Sequence, residues 1–172
     1  IEGHGRFNIP TAVRIGQALE PFGVLWFEEP IPPDNLEGLA EVKRRVRVPI
    51  AAGERLYSRW DYRTLFRLDA ADFIQPDVSH AGGIMEIKKI AAMAECHHIP
   101  LCPHNPSGPV ANAATLQLAA CIPNFHVLET MATDVTYRGE VCREAVGFAN
   151  GMMSIPDAPG LGVEIGRASC RE

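Results

Sequence analysis

At 172 residues, the chain is long enough for one domain of ordinary size, and its composition, 47% hydrophobic and 22% charged, is typical of globular proteins. The net charge of −5, with lysine and arginine scattered along the chain, argues against nucleic acid as a partner. No apolar run is long enough to span a membrane and no signal peptide is recognisable at the start. We therefore expect no membrane partner and a cytoplasmic location.

Short apolar runs alternate with longer amphipathic segments, which predicts alternating strands and helices. In chain order, after an opening segment that ends a strand, the predicted elements are a helix at 8–22, a strand at 24–30 (VLWFEEP), a helix at 34–46, a strand at 48–54 (VPIAAGE), a helix that begins after Ser58, a strand at 72–77 (DFIQPD), a helix at 82–98, a strand at 99–104 (IPLCPH), a helix at 107–121 and a strand at 126–130 (HVLET).

Capping residues mark several of these helix ends. Asp34 or Asn35 is placed to cap the second helix, and Ser58 with Asp61 three residues later is typical of a capping box. His97 and His98 are placed to cap the carboxyl end of the helix at 82–98.

The cysteines are odd in number and show no C-x-x-C spacing, so we expect buried free thiols rather than a disulfide framework or a zinc site. They are Cys96, Cys102, Cys121, Cys142 and Cys170.

Repeated strand–helix units predict a parallel sheet with right-handed crossovers, either open and doubly wound or closed into a barrel. Ionisable residues follow six successive strands at intervals of 23 to 27 residues, namely Glu2 with His4, Glu28, Glu54, Asp77, His104 and Glu129. An open sheet needs such residues at only two or three strand ends, whereas all strand ends of a barrel meet at one mouth. We therefore predict an α/β fold that is the C-terminal part of a TIM-type barrel, incomplete, with about six of the eight βα units.

The types of these residues indicate their chemistry. Carboxylates at 2, 28 and 54 would repel one another unless a cation lay among them, and an all-oxygen ligand set favours Mg²⁺. Asp77 paired with His104 would fix the imidazole tautomer and leave the other nitrogen as a base. Lys88 and Lys89 lie on a helix, which disfavours a Schiff-base aldolase, and no His-x-His pair supports a zinc amidohydrolase. No glycine-rich phosphate loop occurs.

Five motifs in this order, WFEEP, AAGE, IQPDVSHAGGI, PHNPSGPVANAA and HVLET, resemble the mandelate racemase/muconate lactonising family of the enolase superfamily. The resemblance runs from residue 1 to about Ile165. GHGRF followed by PHNPSGP is most similar to the galactonate dehydratase-like sugar-acid dehydratases. The resemblance implies that residues 1–163 are part of the C-terminal catalytic barrel, without the N-terminal capping domain and first strands. We expect 164–172 to be a non-native tail read from library DNA.

The resemblance also implies roles for individual residues. Glu28 and Glu54 match Mg²⁺ ligands, and Glu2 stands where the family usually has Asp. His4 matches a general acid, His104 a general base with Asp77 as its partner, and Glu129 an acid that hydrogen-bonds the intermediate. Glu29 is expected to support the site rather than to act in it.

The implied function is a Mg²⁺-dependent dehydratase of a small-molecule sugar acid, a hydro-lyase that works through an enediolate and gives a 2-keto-3-deoxy acid. The full-length protein is expected to form a homo-oligomer. A racemase or epimerase stays open because its second base commonly lies on a strand outside this sequence, and a cycloisomerase also stays open. An inactive gene fragment is a further alternative, and it would expose unpaired strand edges and dissolve poorly.

Overall fold

Six segments of the chain run parallel to one another in the order of the sequence. The computed structural model describes residues 1–131, 141–142 and 147–165. Its central strands are β1 (Phe27–Glu28), β2 (Ile50–Ala52) and β3 (Phe73–Ile74), paired in that order. Single parallel bridges extend this sheet on both sides, from Glu2 to Glu28 and from Ile74 through Leu101 to Phe125. The parallel strand–helix order confirms the predicted fold class.

Within the described ranges, five α-helices connect or follow these segments, and their bounds lie within a few residues of the predicted ones. They are α1 (Ile9–Leu19), continued by a 3₁₀ turn at Glu20–Phe22, α2 (Leu36–Arg45), α3 (Arg59–Leu68), α4 (Gly83–Cys96) and α5 (Pro109–Ala119).

The capping predictions are confirmed. Asn35 Oδ1 accepts from Gly38 N–H at 2.9 Å, and Ser58 with Asp61 forms the capping box that opens α3. The His97 N–H donates to the last turn of α4, and His98 continues the chain with a φ of 57°.

The core lies between the helices and the strands. Apolar strand residues are completely buried, including Phe27, Ile50 and Ile74. They pack against helix residues such as Leu65 and Ile90, which are equally inaccessible. Full burial of such side chains contributes about 1.5–3 kcal/mol each, so this apolar layer supports the strand ends on which the ionisable residues lie.

The strands are shorter than predicted, and the strand prediction at 126–130 is wrong. Parallel pairing at that position is made by Phe125 with Leu101, so Glu129 lies four residues beyond it. The His126 N–H still donates to the Leu101 carbonyl at 2.8 Å. Further on, the Asn105 side chain donates to the Glu129 carbonyl at 3.0 Å, and this contact takes the place of a strand hydrogen bond.

A hairpin that the sequence analysis did not predict follows in the last described range. Its strands β4 (Phe148–Ala149) and β5 (Met152–Met153) pair antiparallel. Asn150 and Gly151 between them have φ values of 53° and 74°, as a type I′ turn requires.

Two of the cysteines are exposed, so the prediction of buried thiols is wrong for Cys96 and Cys121. Both lie at or just after the end of a helix, away from the strands. Cys102 and Cys142 are buried, and all four are free thiols. Cys170 lies outside the described residues, as does most of the predicted tail at 164–172. Within the described ranges, no helix has the length and apolar character needed to cross a membrane.

Candidate active site

Three carboxylates meet at the carboxyl ends of neighbouring parallel segments. Glu2 bridges to Glu28, the last residue of β1, and Glu54 follows β2 by two residues. One oxygen from each carboxylate lies within 4.8 Å of the other two. Glu54 is the most enclosed, with 7% of its side chain accessible, whereas 44% of the Glu2 side chain is accessible. The site is therefore closed at its base and open at the mouth.

Neighbouring side chains hold two of these acids in place. The Trp26 indole N–H donates to Glu28 Oε2 at 2.9 Å. Gly53, directly before Glu54, has a φ of 132°, and its carbonyl accepts from the buried Tyr62 hydroxyl at 2.7 Å. A Cβ on Gly53 would lie 2.7 Å from that hydroxyl oxygen, so glycine is required for this close approach.

Burial and mutual repulsion raise the pKa values of two of these acids. Burial, followed by the hydrogen bond and the negative charge of Glu28, raises the pKa of Glu2 to about 8. Burial and the charge of Glu29 likewise raise the pKa of Glu54. Three carboxylates so arranged are stabilised by a hard cation, and their all-oxygen donor set fits Mg²⁺.

Asp77 and His104 form a hydrogen-bonded pair beside this cluster, with Asp77 Oδ2 at 2.7 Å from His104 Nδ1. Burial raises the pKa of Asp77, but the hydrogen bonds from His104 and from the Ser79 N–H outweigh burial and lower it. Burial lowers the pKa of His104, but the bond to Asp77 and the charges of Glu54 and Glu129 raise it overall. Their hydrogen bond therefore favours the carboxylate form of Asp77 and the protonated form of His104.

His4 and His104 lie on opposite oxygens of the Glu54 carboxylate. His104 Nε2 is 3.3 Å from Glu54 Oε2, whereas His4 Nδ1 is 3.9 Å from Glu54 Oε1 and 3.6 Å from Glu2 Oε1. Two imidazoles thus flank the same carboxylate, each within reach of a small molecule held there.

The turn that carries His4 is tightly bound to the neighbouring strand. The Gly3 N–H donates to the Glu28 carbonyl at 2.8 Å, and the Gly5 N–H donates to the Glu29 carbonyl at 2.7 Å. His4 itself has a φ of 51°, an unusual conformation for a residue with a Cβ. The turn therefore depends on its surroundings for its shape.

Glu129 lies next to the cluster rather than in it. Its side chain is exposed, and its Oε2 accepts from the Asn105 N–H at 2.9 Å. The Asn105 side chain is buried and donates to Asn112 Oδ1 at 2.6 Å. Asn105, adjacent to His104, thus couples the position of Glu129 to that of the histidine.

Four residues of this site carry no role in the sequence analysis. They are Trp26, Arg55, His80 and Asn105. His80 lies on the loop after β3, where its Nδ1 is 3.1 Å from the Glu54 carbonyl and its ring centroid is 5.9 Å from that of His104. Each lies within three residues of a predicted strand-end residue, and this position is the sequence feature that could have indicated a place in the site.

Comparison with known proteins identifies the family. The family described as "Enolase C-terminal domain-like" matches residues 1–169. The chain belongs to the mandelate racemase/muconate lactonising enzyme family of the enolase superfamily. Sites in this superfamily pair a Lys or His base with Mg²⁺.

Two curated relatives from this family are similar over nearly the whole chain. The D-xylonate dehydratase of Haloferax volcanii is 37% identical over 162 residues, which are 94% of this chain and 39% of that protein. The D-galactonate dehydratase of Ralstonia pickettii is 38% identical over 175 residues, which are 98% of this chain and 46% of that protein. The chain thus spans less than half the length of these relatives.

A solved structure has the same architecture. The mandelate racemase/muconate lactonizing enzyme-like protein from Rubrobacter xylanophilus superposes with a TM-score of 0.93 at 44% identity. The match covers 98% of this chain and 43% of that one. The observed parallel order therefore corresponds to part of the superfamily's C-terminal barrel.

Proposed function

We propose that the protein containing this chain is a Mg²⁺-dependent sugar-acid dehydratase that gives a 2-keto-3-deoxy acid. The observation that carries this proposal is the placement of two imidazoles, His4 and His104, on opposite oxygens of Glu54. Elimination of water needs one group that removes a proton and another that supplies one to the departing hydroxyl. The two relatives named D-xylonate and D-galactonate dehydratase support the same reaction class.

Glu2, Glu28 and Glu54 are the residues that would hold the metal ion, because one oxygen from each converges on the same position and the pKa values of Glu2 and Glu54 are raised. When bound there, Mg²⁺ supplies the positive charge that holds a substrate carboxylate and stabilises the negative charge developing on it. Trp26 keeps Glu28 oriented toward this position through its indole hydrogen bond.

His104 is the proposed base. Asp77 accepts from its Nδ1–H, which leaves the Nε2 lone pair to take the proton from the carbon next to the carboxylate. Asp77 then stabilises the resulting imidazolium. Because Nε2 faces the Glu54 carboxylate at 3.3 Å, the base lies beside the proposed metal position, where the substrate carboxylate would bind.

His4 is the proposed acid. As an imidazolium it would donate its proton to the β-hydroxyl, which leaves as water when the electron pair of the enediolate forms the new double bond. The enol product then tautomerises to the 2-keto-3-deoxy acid. Glu129, held by the Asn105 N–H through one oxygen, has the other oxygen for a hydrogen bond to the enediolate.

The test uses the full-length protein encoded by the gene, with Mg²⁺ and a panel of aldonic and aldaric acids in deuterated water. We expect 2-keto acid formation from at least one substrate. His104→Asn should abolish both product formation and deuterium exchange at the α carbon. His4→Asn should lose product formation while exchange continues.

His98→Asn provides a matched control, because His98 is exposed at the end of α4 and asparagine tolerates its left-handed backbone. It should leave both rates unchanged. Racemisation or epimerisation without any 2-keto product would overturn the dehydratase proposal in favour of the racemase alternative.

A further inference from the structure

A half-buried ion pair joins the residues that follow β1 and β2, and β1 pairs directly with the segment that carries the His4 turn. Glu29, which follows β1, is 2% exposed, and Arg55 Nε donates to its Oε2 at 2.8 Å. A second guanidinium nitrogen of Arg55 contacts the same oxygen. Glu29 has a φ of 36°, so its backbone is strained at the point where this pair forms.

The guanidinium of Arg55 lies directly against the His4 turn. A Cβ built on Gly5 would be 2.5 Å from an Arg55 terminal nitrogen, so a larger residue at this position, whose φ is 66°, would displace the guanidinium. The Gly5 N–H also donates to the Glu29 carbonyl at 2.7 Å. Both members of the ion pair therefore contact the same turn, Glu29 through its backbone carbonyl and Arg55 through its guanidinium.

The same guanidinium reaches the carboxylate that faces His4. Arg55 Nε is 3.8 Å from Glu54 Oε1, the oxygen that lies 3.9 Å from His4 Nδ1. The other oxygen of Glu54 faces His104 at 3.3 Å. Among the described residues, the ion pairs of Arg55 are with Glu29 and Glu54, so its guanidinium lies on the His4 side of the site.

We propose that the Arg55–Glu29 pair is a positioning device for His4. It holds the turn in its strained conformation and so places the imidazole over one side of Glu54. This inference rests on the proposed function, in which His4 protonates the departing hydroxyl. Disturbing the pair should therefore impair the loss of water, while removal of the α proton by His104 continues.

Stability alone does not account for this pair. Glu29 is 2% exposed and the Arg55 side chain 31%, so burial of the carboxylate carries a desolvation cost that an apolar residue of similar volume would not have. The Arg55 guanidinium, by contrast, bonds Glu29 through two nitrogens while its terminal nitrogen lies next to Gly5, and a lysine ammonium has a single nitrogen for these contacts.

The main test compares Arg55→Lys with the unchanged full-length protein at saturating Mg²⁺, in deuterated water. The measured quantity is deuterium incorporated into recovered substrate per 2-keto acid formed. A displaced acid lets the enediolate return to substrate, so this ratio should rise about tenfold or more. Glu29→Gln, which keeps the side-chain shape, should raise the ratio in the same direction if the lysine variant folds poorly.

The His4→Asn background shows whether Arg55 acts through His4. That variant forms no 2-keto acid, so the quantity measured there is the rate of deuterium exchange alone, which Arg55→Lys should change less than about twofold because residues that act as a unit are non-additive. A tenfold or larger change of the exchange rate in the His4→Asn background would overturn the inference. A matched control is Lys43→Met, which breaks the ion pair of Lys43 with Asp69 (2.6 Å) at the other end of the strands and should leave the ratio unchanged.

A readout independent of turnover separates this inference from the proposed function. In protein with isotope-labelled histidine, Arg55→Lys should shift the imidazole resonances of His4, assigned with His4→Asn, and leave those of His104 in place. Unchanged His4 resonances would overturn the positioning role whether or not any sugar acid is turned over. Absence of 2-keto acid with shifted His4 resonances would instead count against the dehydratase.

Discussion

Asp77 Oδ2 lies 2.7 Å from His104 Nδ1, and this contact fixes which nitrogen of the imidazole faces the Glu54 carboxylate. Replacing Asp77 with asparagine keeps the shape but removes the charge and permits the other tautomer. We therefore expect Asp77→Asn to lower kcat by about 10²–10⁴-fold.

The same substitution should move the pH profile in a defined direction. Asp77 raises the pKa of His104, and a base acts only in its unprotonated form. Without the charge, the pKa of His104 falls, so the acidic limb of the pH–rate profile should shift to lower pH even as the plateau drops. A profile of kcat/KM against pH checks this, with a thermal melt to show that the variant is folded. If the acidic limb did not shift, a group other than His104 would be responsible for it.

Metal binding should depend on the protonation of Glu2. The pKa of Glu2 is raised to about 8 in the metal-free protein, so at pH 7 this carboxyl carries a proton that Mg²⁺ must displace. We expect the apparent affinity to fall by about tenfold per pH unit below 8 and to level off above it. Calorimetry in buffers of different ionisation enthalpy would measure the released proton directly.

The raised pKa of Glu2 should also make the stability of the protein depend on pH. The folded chain binds this proton more tightly than the unfolded chain, whose Glu2 has an ordinary pKa near 4.5. Raising the pH between these two values therefore lowers the free energy of unfolding of the metal-free protein. Glu2→Gln should remove this contribution, and saturating Mg²⁺ should reverse it. Glu2→Asp tests whether the shorter side chain usual in the family binds Mg²⁺ more tightly.

The site residues were predictable from sequence because strand ends follow a simple rule. In a parallel sheet the carboxyl ends of all strands lie on one side, so regular spacing is enough to bring Glu28, Glu54 and Asp77 together. Capping residues such as Ser58 were equally predictable from sequence, since a cap acts within one turn of its own helix.

Contacts between distant segments were not predictable in the same way. Arg55 follows Glu54, but nothing local shows that its guanidinium turns toward Glu29 and Gly5. The hairpin was missed for a different reason: its Asn150–Gly151 signal is strong, but the flanking strands have only two residues each. The strand prediction at 126–130 was wrong because the apolar content of a segment does not show where its pairing with the neighbouring strand ends.

Tyr62 should contribute measurably to stability through one hydrogen bond. Its buried hydroxyl donates at 2.7 Å to the Gly53 carbonyl, which also accepts from the Leu56 N–H at 3.0 Å, so Tyr62→Phe removes one of these two bonds. We expect a loss of about 0.5–1.5 kcal/mol in the free energy of unfolding. Because the bond supports the turn before Glu54, the affinity for Mg²⁺ should fall as well. Chemical denaturation and calorimetry measure the two effects.

Tyr57→Phe serves as the matched control for this substitution. Tyr57 is 59% exposed, so removing its hydroxyl should change stability by less than about 0.5 kcal/mol. Equal losses in the two variants would show that the Tyr62 bond has no special role in holding the turn.

Thiol reactivity should report on the strand that carries His104. Burial raises the pKa of Cys102 to about 11, and this residue is 3% exposed, whereas Cys96 and Cys121 are exposed. At pH 8 an alkylating agent should therefore modify Cys96 and Cys121 in the folded protein and spare Cys102 until guanidinium chloride is added. Mass spectrometry of the peptides would quantify each site.

The protection of Cys102 has a structural cause that the experiment can isolate. The Cys102 N–H donates to the Ile74 carbonyl at 2.9 Å and the residue is 3% exposed, so we expect alkylation of its thiol to require that this segment separates from β3. Alkylation of Cys102 at a rate close to that of Cys96 would mean that the segment opens frequently in solution. Since His104 lies two residues further along, such opening would also separate the base from Asp77. We therefore expect slow alkylation of Cys102 as long as the Asp77–His104 pair is intact.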